Sequence, residues 1–101
     1  MTEQQLIRLE LIANRSVEDD LYDLLRKRNA NPYYTKFSEV QGFGNSGPRR
    51  GDHIFPEENF LLIIYCDEQT ADAIRLTVDE LKLLFPREGI VLYRSTAQRI
   101  C

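Results

Sequence analysis

Phe60-Leu61-Leu62-Ile63-Ile64-Tyr65-Cys66 decides the fold. The run is apolar throughout and does not alternate, which is the pattern of a central strand covered on both faces. Helices must cover one face. The other needs further helices or another subunit. Downstream, Asp67 to Thr70 is polar and rich in helix-capping residues. Ala71, Ile74, Val78, Leu81 and Phe85 then recur at helical spacing with Leu84 beside them, and Pro86 ends the segment. Arg87-Glu88-Gly89 reads as a turn. Ile90 to Tyr93 is a further strand, reaching about Ser95, and Thr96 to Cys101 is a short tail.

Upstream of the central strand, Pro56 to Asn59 closes a long stretch, Gly42-Phe43-Gly44-Asn45-Ser46-Gly47-Pro48-Arg49-Arg50-Gly51-Asp52. Its glycines and proline predict an irregular loop, and a loop of that length in so small a chain is usually functional or disordered. Before it, Tyr33 to Gln41 reads as a strand with aromatic or apolar groups on both faces, each expected to pack. Val17, Leu21, Leu24, Leu25 and Arg28 mark a helix that ends near Asn29, with Ser16 as its cap and Asp19 in its first turn. Ile7, Leu9, Leu11 and Ala13 alternate with Arg8 and Glu10 in the first strand.

Strand, helix, strand, strand, helix, strand is the split βαβ order of the ferredoxin-like α+β fold: a four-stranded antiparallel sheet with two helices on one face. Residues 1–101 are expected to form one domain. The face without helices cannot be fully polar, because the central strand supplies apolar residues to both sides. We read it as a subunit interface.

Composition bounds the function. The chain has 101 residues, 13 Lys plus Arg against 16 Asp plus Glu, and a formal net charge of −3. Nothing in this resembles a nucleic-acid footprint. No apolar run approaches the roughly 20 residues of a membrane span, and Met1 to Gln5 lacks the pattern of a signal peptide. Cys66 and Cys101 make no disulfide framework. We therefore expect a cytoplasmic protein with reduced thiols, without nucleic-acid binding or membrane insertion.

The chemistry points to binding rather than turnover. His53 is the only histidine, and the topology sets it at the far end of the central strand from Cys66, too far for a catalytic dyad. Adjacent Glu57 and Glu58 do not face one another, and no zinc or Walker spacing occurs. The glycine-rich loop differs. Gly42, Gly44, Gly47 and Gly51 can present backbone N–H groups to an anion, and Arg49 and Arg50 add fixed charge. Lys36 lies on the strand before the loop, and Arg94 and Arg99 lie on or after the last strand. Phe43 is an anchor for the loop or a docking side chain. No catalytic residue or metal ligand is assigned.

Glu39-Val40-Gln41-Gly42-Phe43-Gly44, set in this topology, resembles the PII-type nitrogen-regulatory proteins and their PII-like relatives. There a similar Gly-Phe-Gly stretch ends the second strand, a long T-loop follows, and an apolar third strand comes next. Ile7 to Ala13 followed by Ser16-Val17-Glu18-Asp19 resembles that family's first strand and helix. The resemblance implies a homotrimer whose sheets meet around an axis, with adenine nucleotides such as ATP, ADP or AMP bound between subunits as effectors. It also implies a T-loop that controls a partner protein, for example a membrane transporter. By position, Gly42, Phe43 and Gly44 would lie beside the nucleotide, and Ser46 stands near the place of a glutamine that helps bind 2-oxoglutarate. The loop here is shorter than the usual T-loop and holds no tyrosine, and Phe85 to Gly89 replaces the family's lysine-containing glycine loop. Other readings stay open. One is a trimer like the CutA divalent-cation proteins, with His53, Cys66, Glu57 and Glu58 as ligands. Another is a structural or partner-binding trimer without a small ligand. Val40 to Gly44 also resembles part of the acylphosphatase anion cradle, but that cradle follows the first strand and includes a catalytic arginine.

Overall fold

A computed structural model describes residues 4–40, 42–44, 47–49 and 58–101, with 42–44 and 47–49 described through their backbone pairing. The described residues form β1 (Gln4–Asn14), a 3-10 turn (Arg15–Val17), α1 (Glu18–Lys27), β2 (Tyr34–Val40), β3 (Gly42–Gly44), β4 (Gly47–Arg49), β5 (Asn59–Cys66), α2 (Glu68–Leu84) and β6 (Ile90–Arg99). The main sheet has the order β2-β5-β1-β6, and every neighbouring pair is antiparallel. This is the ferredoxin-like split βαβ arrangement, as the sequence pattern predicts.

The pleat sorts the apolar run of β5. Phe60, Leu62 and Ile64 are buried beneath the helices, with Leu9, Leu11 and Ala13 of β1 and Ile90 of β6. Leu21, Leu24 and Leu25 of α1 and Ala71, Ile74, Val78 and Leu81 of α2 close that core. Odd-numbered β5 residues face the other way. Leu61 pairs with Phe37 and Ile12, Ile63 with Thr35 and Glu10, and Tyr65 with Arg8. Beyond β1, Glu10 pairs with Tyr93 and Ile12 with Val91. This helix-free face leaves Phe37 47%, Tyr65 52% and Tyr93 59% exposed in the single chain. Among the described residues one ion pair, Arg8 with Glu10, sits within it, and Arg8 Nε also donates to the Tyr65 hydroxyl at 3.4 Å.

Local signals set the helix ends. Asn14, not Ser16, supplies the cap: its Oδ1 accepts from the Ser16 N–H at 2.9 Å and starts the 3-10 turn, leaving Ser16 inside that turn. An amide side chain at the strand end reaches the first free N–H before a hydroxyl inside the turn can. At the other end Asn29 adopts φ 56°, its N–H donates to the Arg26 carbonyl, and Ala30 N–H donates to the Leu25 carbonyl at 2.9 Å. That is a Schellman stop, with the buried Ala30 as its apolar contact. Asp67 caps α2 by accepting from Thr70 N–H at 2.8 Å, and Phe85 ends it before Pro86.

Two expectations are corrected. The loop expected to be irregular contains a ladder, with Gly42 opposite Arg49, Phe43 opposite Pro48 and Gly44 opposite Gly47. Glycine weakens strands without forbidding them. If the outer two pairs exchange the hydrogen bonds, Pro48 falls in the middle pair, where a missing N–H costs nothing. The last strand does not stop near Ser95 but runs to Arg99, because its polar half pairs with Gln4 to Leu9 of β1. As an edge strand, β2 is exposed over most of its length in the single chain, with Tyr34 and Lys36 meeting Tyr22 and Glu18 of α1.

Candidate functional site

The C-terminal ends of β1 and β2 meet the N-terminal ends of β5 and β6 at one end of the sheet, where Val40 and Asn14 both pair with Asn59 and Ala13 pairs with Ile90. The β3–β4 ladder begins two residues after Val40 and Glu58 directly precedes β5, so both adjoin this end. We call it the loop end. Two backbone bonds stitch it: Arg15 N–H donates to the Glu58 carbonyl at 2.8 Å, and Asn14 N–H donates to the Gly89 carbonyl at 3.2 Å. Asn14 is buried, and its Nδ2 has no acceptor among the described residues.

A cavity of about 180 Å³ opens at this end, lined by Arg15, Glu18, Lys36, Ser38, Glu39 and Phe60. Its construction follows from matched spacings. Tyr34 and Lys36 are two residues apart on the helix-facing side of β2, about 7 Å. Glu18 and Tyr22 are four apart on α1, about 6 Å. Strand and helix run antiparallel, so the pairs meet: Tyr22 stacks on Tyr34 with ring centroids 5.9 Å apart, and Lys36 Nζ sits 2.5 Å from Glu18 Oε2. The Tyr22 hydroxyl donates to the same carboxylate at 2.6 Å.

Burial pushes the Glu18 carboxyl up, but the hydrogen bonds from Lys36 and Tyr22 and the charges of Lys36 and Arg15 outweigh it and hold it below its ordinary value. Burial, then the hydrogen bond to Glu18, pushes the Tyr22 phenol well above its ordinary value. Glu18 is therefore held as an anion, engaged by both the Lys36 ammonium and the Tyr22 hydroxyl. Arg15, which lines the cavity, has its Nη1 2.7 Å from Glu58 Oε2. Glu39 adopts φ 58° where the β2–β5 register shifts between Phe37 and Val40. A side chain there is strained, and strain of this kind gathers at functional positions.

The residues expected to bind ligand are distributed as follows. Lys36 lines the loop-end cavity. Gly42, Phe43, Gly44, Gly47 and Arg49 lie on the ladder that springs from the same end, with backbone pairing alone described. Ser46 and Arg50 lie outside the described residues, as do His53 and Glu57. Arg94 and Arg99 are not brought to the cavity within one chain. They lie on β6, three strand spacings or about 14 Å across the sheet from β2. Arg99 sits at the opposite end, paired with Gln4, and Arg94 is held by Glu68, with Asp72 at 3.9 Å. Arg94 instead lines a groove of about 360 Å³ between α2 and β6, floored by Leu9, Val78 and Leu92. Sequence reasoning missed Arg15, Glu18 and Glu39. The signal that could have found the first two is the Glu18–Tyr22 and Tyr34–Lys36 spacing match.

Cys66 is half-buried, and burial, with Asp67 adding to it, pushes its thiol up. Among the described residues no three His, Cys, Asp or Glu groups come together in a way that could hold a metal ion. No described helix is long and apolar enough to cross a membrane.

No protein-family model matches the sequence, and no curated protein does. Solved structures do match. CPII from Thiomonas intermedia K12, bound to ADP and bicarbonate, superposes with a TM-score of 0.76 at 19% identity, over 97% of this chain and 91% of that one. The same protein, a nitrogen regulatory PII-like protein, bound to ADP, AMP and bicarbonate gives 0.73 at 18% identity over 97% and 91%. A candidate PII-like signalling protein from Thermus thermophilus gives 0.67 at 20% identity over 99% and 94%. The fold of this chain is thus that of the PII-like proteins.

Proposed function

We propose that the chain is a non-enzymatic PII-like regulator: a homotrimer that binds a small anionic effector, with an adenine nucleotide as the leading candidate, in clefts between subunits. Effector binding would be relayed through residues 42–58 to a partner protein such as a transporter. The observation that carries the reading is the likeness, over nearly the whole of both chains, to a PII-like protein bound to ADP and bicarbonate.

Two features support it. The helix-free sheet face presents Phe37, Leu61, Ile63, Tyr65 and Tyr93 around one self-neutralising ion pair, a surface suited to burial against further copies. The cationic residues are divided between the β2 edge, with Lys36 and the ladder, and the β6 edge, with Arg94 and Arg99. One chain cannot join its two outer edges, whereas a neighbouring copy can bring its β6 against β2.

Light scattering coupled to size exclusion tests the assembly, and calorimetry with ADP, AMP and ATP, with and without bicarbonate, tests the effector. Three chain masses and saturable binding are expected. A monodisperse monomer at micromolar concentration removes the cleft, and no binding at millimolar ligand removes the effector.

A further inference from the structure

We infer that Arg15 grips the effector's oxyanion and that Glu58 is a tethered competitor for it. The inference rests on the effector reading above and names the residues that would serve it.

The two cations of the loop-end cavity are not equivalent. Lys36 is 34% exposed and held by Glu18, whose carboxylate Tyr22 also fixes. Arg15 is 57% exposed, and its one described side-chain hydrogen bond goes to Glu58, while its charge also acts on Glu18. Its backbone N–H is bonded separately to the Glu58 carbonyl. The side-chain pair can therefore open while the backbone tie between the 3-10 turn and the start of β5 stays closed. Ser38 adds a hydroxyl to the same wall.

The present occupant of Arg15 indicates the ligand class. A planar guanidinium can take two-oxygen anions in its fork, and here one oxygen of the Glu58 carboxylate already sits 2.7 Å from Nη1. A free ligand must outcompete a group held at high effective concentration, which favours one that also bonds Ser38. The size of the cavity narrows the choice. About 180 Å³ is below the roughly 300 Å³ where drug-sized ligand pockets begin. It fits a small oxyanion, either free, as bicarbonate or phosphate, or as the phosphate end of a nucleotide whose remainder lies elsewhere. Binding would free the Glu58 carboxylate where the chain enters β5.

The test is calorimetry on the full chain and on Arg15→Ala, Arg15→Lys and Glu58→Gln, each checked for folding by circular dichroism. The probes are bicarbonate, inorganic phosphate, ADP and adenosine. Removing a competitor of exposed-pair strength should tighten oxyanion binding about two- to fivefold in Glu58→Gln. Arg15→Ala should weaken it about tenfold or more, and Arg15→Lys, which keeps the charge and loses the fork, should fall between. A response to bicarbonate or phosphate alone identifies a free anion. A response to ADP without one to adenosine identifies the nucleotide's phosphate. If wild type binds a probe and Arg15→Ala binds it equally well, or Glu58→Gln does not bind it more tightly, this inference fails and the effector reading stands. If wild type binds none of the probes, both fall.

Discussion

Replacing Glu39 with glycine should stabilise the protein. Glu39 holds φ 58° at the register shift of β2, a conformation that costs an L-residue with a Cβ about 1–2 kcal/mol. Glycine meets no such penalty, but it carries about 0.5–1 kcal/mol of extra conformational entropy in the unfolded chain. Midpoint against midpoint, the net gain is about 0.75 kcal/mol. For a chain of this size that is a rise in Tm of roughly 3–6 °C. The side chain is exposed, so its removal leaves no buried void. Glu39→Ala separates backbone from charge, because it removes the carboxylate and keeps the Cβ. It should leave stability near wild type. The assay is urea unfolding followed by circular dichroism, at one fixed chain concentration because an assembly makes stability concentration-dependent. If Glu39→Gly is no more stable than Glu39→Ala, the strain assigned to this position is wrong. If both gain equally, charge rather than backbone is responsible. A stabilised Glu39→Gly that binds effector more weakly would show strain retained for function.

Ile63→Lys, placed on the helix-free face without touching the core beneath the helices, should convert the proposed trimer to monomers in light scattering, and an unchanged mass would exclude that face as the interface. Tyr22→Phe should cost about 1 kcal/mol in urea unfolding through loss of the bond to Glu18, and no change would mean that water replaces the hydroxyl. Glu18 has a folded pKa below its ordinary 4.5, so its contribution is fully present above that pH and is lost as pH falls through the lowered folded value. Glu18→Gln should accordingly lose less stability than wild type on acidification from about pH 5 to pH 3, and parallel curves would refute the assignment. Asn14→Ala should cost about 1 kcal/mol through loss of the cap on Ser16 N–H, with thermal melting as the check.

The fold was legible because apolar spacing reports burial. The run from Phe60 to Cys66, the helical stripes and the strand–helix order gave the topology, and the pleat then divided that run into two faces. What stayed hidden was determined by pairing. Arg94 to Arg99 and the Gly42–Arg49 ladder carry no hydropathy signal, since their partners, not their composition, make them strands. The candidate site was half legible. Lys36, which lines the cavity, followed from its place on the strand before the loop. Arg15 and Glu58 did not, because they lie 43 residues apart in sequence and meet only where the 3-10 turn and β5 share the end of the sheet. Glu39 could not be read at all, since nothing in its identity announces a left-handed backbone.

The pairing of Gln4 with Arg99 has a practical consequence. Both residues lie at the end of the sheet remote from Arg15 and the ladder. Cys101, two residues beyond Arg99, is exposed, whereas Cys66 is half-buried with its thiol pushed up, so less of it is thiolate at neutral pH. A maleimide should therefore react first at Cys101. Chains immobilised or dye-labelled through that sulfur would stand on a surface with the ladder side outermost, free to meet whatever is flowed past.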